Sequence, residues 1–326
     1  MAFFQAAEEL LAEGYKPMQD IYLCSSNTEE IGGLGAPKTV DELTRLEVKP
    51  FLVCDEGGAI VTEPLAGFPG NFAMVGVLEK GCGNVKVIAR SNGGHSSTPS
   101  KNSPIARLAK FVCDIEKHNP MTIDIEPELV QMFKKIADYG PFYMRFLLGN
   151  LWLTKPILKI AGPYLGSEVA ALMRTTIAFT QQSGSMGANV LPQEASITIN
   201  MRYIPHQNKN ESIEIIRKIA SKYELEIEDL GGDPSFPPVK TDGEAFKMVE
   251  DVIAEVFPGL PVIPYVMTGG TDAAYYQRIC DSCLRFSPVL YSAEQMDSMH
   301  ALNENVSTIA LPGAVDFYKT LIRKII

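Results

Sequence analysis

The side chains able to do chemistry in this sequence stand in polar or glycine-rich loops. Glu29 and Glu30 are adjacent in Thr28-Glu29-Glu30-Ile31-Gly32-Gly33. Neighbouring carboxylates in a loop point in different directions. One can hold a metal ion while the other takes a proton from the metal's water; the same pair also reads as a solvated turn. Asp55, after the apolar run Phe51–Cys54, is a possible oxygen ligand or a helix cap. His300 lies in the polar run Asp297–Glu304, where a metal ligand and a merely exposed imidazole look alike. His95 sits among glycines and serines in Gly93-Gly94-His95-Ser96-Ser97, either an anion-binding nest or a flexible turn. Gly269-Gly270-Thr271-Asp272 reads as a backbone nest opening a helix, with Thr271 or Asp272 as its cap. Cys280 and Cys283 form one C-x-x-C, with no second pair to complete a zinc site.

The elements that must position these residues follow from periodicity. Residues 2–14 predict a helix with Phe3, Phe4, Ala7, Leu10 and Leu11 on one face, stopped by Gly14. A strand is expected over 20–25, a helix over 39–46 and a strand over 51–54. That rhythm belongs to a parallel α/β sheet, whose ligands bind at the carboxyl ends of strands, and both acidic pairs, Glu29-Glu30 and Asp55-Glu56, follow one. From about residue 81 the texture changes. Alternation predicts strands at 85–89, 195–202 and 225–230 and helices at 104–117 and 211–222, with a proline-broken helical stretch near 118–175. The last part predicts a helix over 244–257, a strand over 262–266, a helix starting at 271 and a closing helix over 306–326. The expected plan is an α/β domain formed by 1–80 and 234–326, with an α+β domain, 81–233, inserted between.

Composition bounds the function. The 326 residues are 46% hydrophobic, enough for a sizeable core, and carry a formal charge of −10. Without a basic run, nucleic acid is an unfavourable partner, and so, on this balance, is an anionic membrane surface. No stretch reads as a membrane span. The first residues have no basic leader, and six scattered cysteines suggest buried free thiols in a reducing compartment, so a cytoplasmic protein is expected.

Taken in order, TEEIGG, CDEGG, GGHSS, NMRYIP, GGTDA and MHALNE resemble one family along nearly the whole chain. This is the co-catalytic zinc metallopeptidase family twenty, which includes carboxypeptidase S, aminoacylase, glutamate carboxypeptidase and succinyl-diaminopimelate desuccinylase. The CDEGG form and the helical insertion resemble its carboxypeptidase S-like branch. The resemblance implies a mainly parallel-sheet catalytic domain with an inserted dimerisation (lid) domain, two zinc ions per site, and a homodimer acting on small peptides or N-acyl amino acids. It implies that Glu29 is the general base, that Glu30 and His300 bind one zinc, and that Asp55 binds the second. His95 would stabilise the oxyanion across a dimer, Arg202 would grip the substrate carboxylate, and Asn189 and Gly270 would touch the substrate. The chemistry is consistent: zinc lowers the pKa of its water to about 7, and one oxyanion donor is worth roughly 3–4 kcal/mol.

One departure stands against this pattern. The family's His-x-Asp, which completes the metal set, has no counterpart, because none of His95, His118, His206 and His300 is followed two residues later by Asp. The sequence therefore reads as lacking the family's N-terminal portion. Two readings result: a zinc hydrolase of peptide or N-acyl-amino-acid amide bonds, or a non-catalytic remnant that dimerises or binds ligand.

Overall fold

The computed structural model describes residues 1–65, 67–164 and 166–325, and the chain divides into two compact units. Unit 1 is Met1–Glu79, Pro127–Lys155 and Pro237–Ile326; unit 2 is Lys80–Glu126 and Pro156–Phe236. The helical stretch expected inside the insertion is thus shared out, with Pro127–Lys155 belonging to unit 1.

Unit 1 is built on a four-stranded mixed sheet of β1 (Val53–Thr62), β2 (Asn71–Glu79), β9 (Val262–Met267) and β10 (Cys283–Tyr291), in the order β1-β10-β2-β9. The β1–β10 and β2–β9 pairs are parallel; β2 runs antiparallel to β1 and β10. Every residue of β2 after Asn71 is buried. A strand covered on both faces reads as a continuous apolar run rather than an alternating one, which is why β2 escaped the periodicity argument. Helices α9 (Glu244–Val256) and α12 (Leu311–Lys324) bring Phe246, Val249, Ile253, Phe317 and Leu321 onto Val75, Val77, Leu284 and Phe286. Each such side chain contributes about 1.5–3 kcal/mol when fully buried. Helix α1 (Ala2–Ala12) is tied to α12 by Lys319, whose Nζ donates to Glu9 and Glu13 at 2.9 Å. Helix α2 (Gly35–Arg45) packs Ala36, Val40 and Leu43 against Ala273, Tyr276, Cys280 and Cys283, around the short α10 (Ala273–Tyr276). Helices α4 (Pro127–Ala137), α5 (Phe142–Gly149) and α11 (Ala293–Ser298) complete the unit.

Unit 2 holds a four-stranded antiparallel sheet of β3 (Gly81–Arg90), β5 (Thr176–Ser183), β7 (Glu194–Tyr203) and β8 (Glu226–Asp233), in the order β5-β7-β3-β8. The period-2 pattern sends Val85, Val87 and Ala89 of β3 and Ile197, Ile199 and Met201 of β7 to one face. There they meet Leu108, Phe111 and Ile115 of α3 (Pro104–Lys117) and Ile213 and Ile216 of α8 (Lys209–Ser221). A two-residue ribbon pairs β4 (Gly94–His95) with β6 (Val190–Leu191). Helix α6 (Leu151–Ala161) starts in unit 1 and ends in unit 2, and α7 (Ser167–Met173) follows in unit 2.

Several expectations are corrected. Residues 20–25 form no strand: Tyr22 and Leu23 are exposed, and among the described residues no neighbour offers the run a ladder. Helix α2 starts four residues early, because the Thr28 hydroxyl accepts from Gly35 N–H and Pro37 suits a first turn. The closing helix starts at Leu311, and Ile326 lies outside the described residues, as do Ala66 and Leu165. The cysteines are free, but Cys24 and Cys113 are exposed. No helix among the described residues is long and apolar enough to cross a membrane.

Candidate active site

The Thr28–Gly33 loop is shaped by backbone contacts that demand glycine. Gly33 N–H donates to the Thr28 carbonyl at 2.8 Å and Gly32 N–H to the Glu29 carbonyl at 2.8 Å. A Cβ on Gly33 would collide with the Thr28 side chain, so the turn closes tightly only with glycine there. It leaves Glu29 half-buried and Glu30 exposed. Burial, then the charges of Glu56 and Glu30, hold the Glu29 carboxyl above its usual range, so it is a better proton acceptor than a free glutamate.

Asp55 sits where β1 breaks register against β10, between Asp55↔Arg285 and Ala59↔Ser287. A Cβ on Gly58 would strike the carbonyls of Met74 and Arg285, so only glycine lets β1 pass there. Asp55 Oδ1 accepts from Glu56 N–H at 2.9 Å and Oδ2 from Ala273 N–H at 2.6 Å. Asp55 therefore caps the first turn of α10. Neither Thr271 nor Asp272 caps it with a side chain, contrary to expectation. Thr271 instead donates its N–H and its hydroxyl to Glu79, both at 2.9 Å, and Arg285 Nε donates to the same carboxylate at 3.1 Å. Gly270 is exposed immediately before this anchored residue. Burial raises the proton affinity of Asp55 against these hydrogen bonds, and raises that of Glu56 and Asp272, whose acidic neighbours add to it.

His300 arrives from the other end of the chain. Helix α11 is fixed by a reciprocal Ser292–Gln295 capping box, and the backbone after it turns through a left-handed His300, φ 58°. That conformation costs a non-glycine residue of order 1–3 kcal/mol and concentrates at functional sites. It places His300 Nε2 3.3 Å from Glu30 Oε2. In unit 1, then, the structure joins Glu30 to His300 and Asp55 to the 269–273 loop, with Glu29 feeling Glu56, Glu30, Asp272 and Asp55.

In unit 2, the His95 and Asn189 loops meet. Gly94 pairs with Leu191 and His95 with Val190, and Ser96 N–H donates to the Asn189 carbonyl at 3.0 Å. His95 Nδ1 accepts from Ser97 N–H at 3.2 Å and lies 2.8 Å from the Ser97 hydroxyl. With Nδ1 an acceptor, the neutral ring carries its proton on Nε2, where it is a donor. Arg202 is half-buried in β7, between Thr176 of β5 and Cys82 of β3. Just before β3, Lys80 is buried, donating to the carbonyls of Ala171 and Arg174 at 2.8 Å. Burial, then Arg202 and Arg174, lower its pKa to about 7.

The sequence reading missed Glu79 and Arg285. The one signal for Glu79 is an acid closing a long uncharged run; Arg285 sits in β10, a strand the periodicity argument did not find.

Carboxylate and imidazole donors suit zinc. Among the described residues, however, no group of three or more His, Cys, Asp or Glu could hold a metal ion. A catalytic zinc uses three protein ligands and a water, so Glu30 with His300 is a partial set and Asp55 is a single ligand.

The sequence is 31% identical over 331 residues to "Probable carboxypeptidase S-like 2" of Dictyostelium discoideum, covering 99% of this chain and 62% of that one. It is 32% identical over 326 residues to the "N-fatty-acyl-amino acid synthase/hydrolase PM20D1" of Xenopus tropicalis, covering 99% and 63%. The chain thus spans less than two thirds of either relative. Among solved structures, an M20 family metallo-carboxypeptidase from Sulfolobus solfataricus shares the fold, with a TM-score of 0.66 at 17% identity over 99% of this chain and 74% of that one. The sequence signature of the peptidases matches residues 1–324. With the segments that carry Glu29, Glu30, Asp55 and His300 all inside that match, the chain belongs to peptidase family M20/M25/M40.

Proposed function

We propose that this chain acts as a zinc-dependent hydrolase of peptide or N-acyl-amino-acid amide bonds. The observation that carries the reading is the approach of His300 to Glu30 beside a Glu29 of raised proton affinity. Glu30 and His300 are the ligands these residues would give one zinc, and Asp55 one ligand of a second; bound zinc would polarise the amide carbonyl and water. Glu29 accepts the proton of the attacking water and returns it to the departing amine. His95 donates from Nε2 across the homodimer to the oxyanion in the partner subunit's site, and Arg202 holds the free carboxylate by its planar fork. Asn189 and Gly270 contact the substrate. The names of the two relatives, a carboxypeptidase and an N-acyl-amino-acid hydrolase, support an amide next to an amino acid as the bond cleaved. The reading includes a homodimer, supported by β5 and β8, which among the described residues are the edge strands of the unit 2 sheet.

The test is hydrolysis of N-acyl amino acids and dipeptides by zinc-supplemented protein. Glu29→Gln is expected to abolish turnover while binding zinc as tightly as the native chain. Equal turnover in the variant, or no hydrolysis of any such amide by the native chain, overturns the reading.

A further inference from the structure

Unit 1 brings together a pair of nucleophilic side chains that the hydrolase site does not use. Cys280 and Cys283 stand on either side of the turn that leads from α10 into β10. The N–H groups of Ile279 and Cys280 both donate to the Tyr276 carbonyl at 3.0 Å, which ends the helical turns. Cys283 then opens β10 opposite Val53 of β1. Between the two cysteines the chain folds back. The Cys283 thiol donates to the Cys280 carbonyl at 3.3 Å and is also hydrogen-bonded to the Cys280 sulfur. A cystine joins α-carbons about 4–7 Å apart, and a turn of two intervening residues with its thiols already in contact suits that span.

The two sulfurs differ in surroundings. Cys280 is 5% exposed and Cys283 0%, in the cluster with Ala36, Val40 and Leu43 of α2. Cys280 is therefore the sulfur a small reagent reaches first, and Cys283 lies behind it. The neighbouring thiol holds Cys280 down to about 7 against the effect of burial, while the same contact and burial push Cys283 up. The thiolate is the nucleophile, so the outer sulfur attacks and the inner one resolves. Nor is the pair part of a metal site: among the described residues no group of three or more His, Cys, Asp or Glu could hold an ion. We propose that Cys280 and Cys283 are a redox-active dithiol that a hydroperoxide closes to a reversible disulfide. With hydrogen peroxide, the Cys280 thiolate attacks one oxygen and expels hydroxide, leaving a sulfenic acid. The Cys283 sulfur then attacks the Cys280 sulfur, and the hydroxyl leaves with the Cys283 proton as water. The two thiols lose two electrons and two protons, the peroxide gains them, and two waters form. The cross-link fixes the turn between Ala273, whose N–H is held by Asp55, and Arg285, which holds Glu79. The proposal goes beyond the hydrolase reading and does not depend on it.

Trypsin cuts after Arg278 and Arg285, so residues 279–285 leave as one peptide with both cysteines and no other. The reduced full chain is treated with a few equivalents of hydrogen peroxide, denatured in iodoacetamide, digested and weighed. The peptide is expected unalkylated and lighter by two hydrogen atoms, and doubly alkylated once dithiothreitol is added before the iodoacetamide. Cys283→Ser, checked for an unchanged circular-dichroism spectrum, is expected to stop Cys280 at the sulfenic acid, captured by dimedone. A peptide that stays doubly alkylated while the exposed Cys24 and Cys113 are oxidised overturns the proposal and makes the pair inert core thiols. So does irreversible oxidation of the two sulfurs without a disulfide. Cys283 oxidised as fast in a Cys280→Ser chain as in the native one also overturns it.

Discussion

Among single residues, Glu79 has the widest reach in unit 1. Its carboxylate is the shared acceptor for Thr271 N–H, the Thr271 hydroxyl and Arg285 Nε. Arg285 is wholly buried and also donates to the Cys283 carbonyl at 2.7 Å and to Gln277 Oε1 at 3.0 Å. Removing Glu79 would strand that guanidinium. Glu79→Ala is therefore expected to cost about 3–5 kcal/mol, the usual loss on breaking a buried pair, read as a lower urea midpoint; a change below about 1 kcal/mol would show that the network is not cooperative. The Glu30–His300 pair predicts a different result. Both side chains are exposed, so their contact adds little stability. Glu30→Gln and His300→Ala should leave the urea midpoint in place while each weakens zinc uptake in a competitive chelator titration. Equal uptake by either variant would remove that residue from the ligand assignment.

At the level of elements, unit 2 carries a pH-dependent fastening between the segment after α3 and the turn after β7. His206 N–H and Nδ1 both engage Glu126 Oε1 at 2.8 Å, and Nε2 lies 3.1 Å from the Thr122 carbonyl. With an acceptor at each ring nitrogen, only the imidazolium satisfies both. Burial opposes the charge, but the hydrogen bonds to Glu126 and Thr122 outweigh it and hold His206 above its ordinary 6.5. Burial likewise opposes the Glu126 charge, and His206 overcomes it, placing Glu126 below its ordinary 4.5. The histidine's contribution is complete below the unfolded value and is lost as pH rises through the raised folded value. The glutamate's is complete above its unfolded value and is lost as pH falls through the lowered one. The fastening is thus strongest between 4.5 and 6.5. Thermal melts of the native chain should show stability falling as pH rises above that window, with Glu126→Gln flattening the alkaline limb. An unchanged slope in the variant would assign the pH dependence elsewhere.

For the molecule as a whole, the partial ligand set predicts weak zinc retention. Metal analysis after dialysis against a mild chelator should find less than one zinc per chain, and two firmly held ions would contradict it. Alternation placed β3, β7, α3 and α8, because a half-buried sheet and its covering helices write their period into the residues. The turn around Thr28 was legible too, since its tight closure needs glycine whatever the rest of the chain does; Asp55 and Glu56, expected to follow a strand ending at Cys54, instead lie inside β1, which glycine lets pass its neighbours. β2 and β10 were hidden, because strands buried within a sheet lose the period-2 signal. The run 20–25 had strand character without a strand, since a ladder needs a neighbour that local sequence does not supply. By itself, then, the sequence determined which groups are chemically capable and which loops present them, for residue type and turn sterics are local properties. Only the tertiary structure decided that Asp55 caps α10, that Glu79 anchors Thr271, and that Glu30 meets His300. Each of these joins distant stretches of chain, and packing and long-range pairing, not local preference, fix such distances.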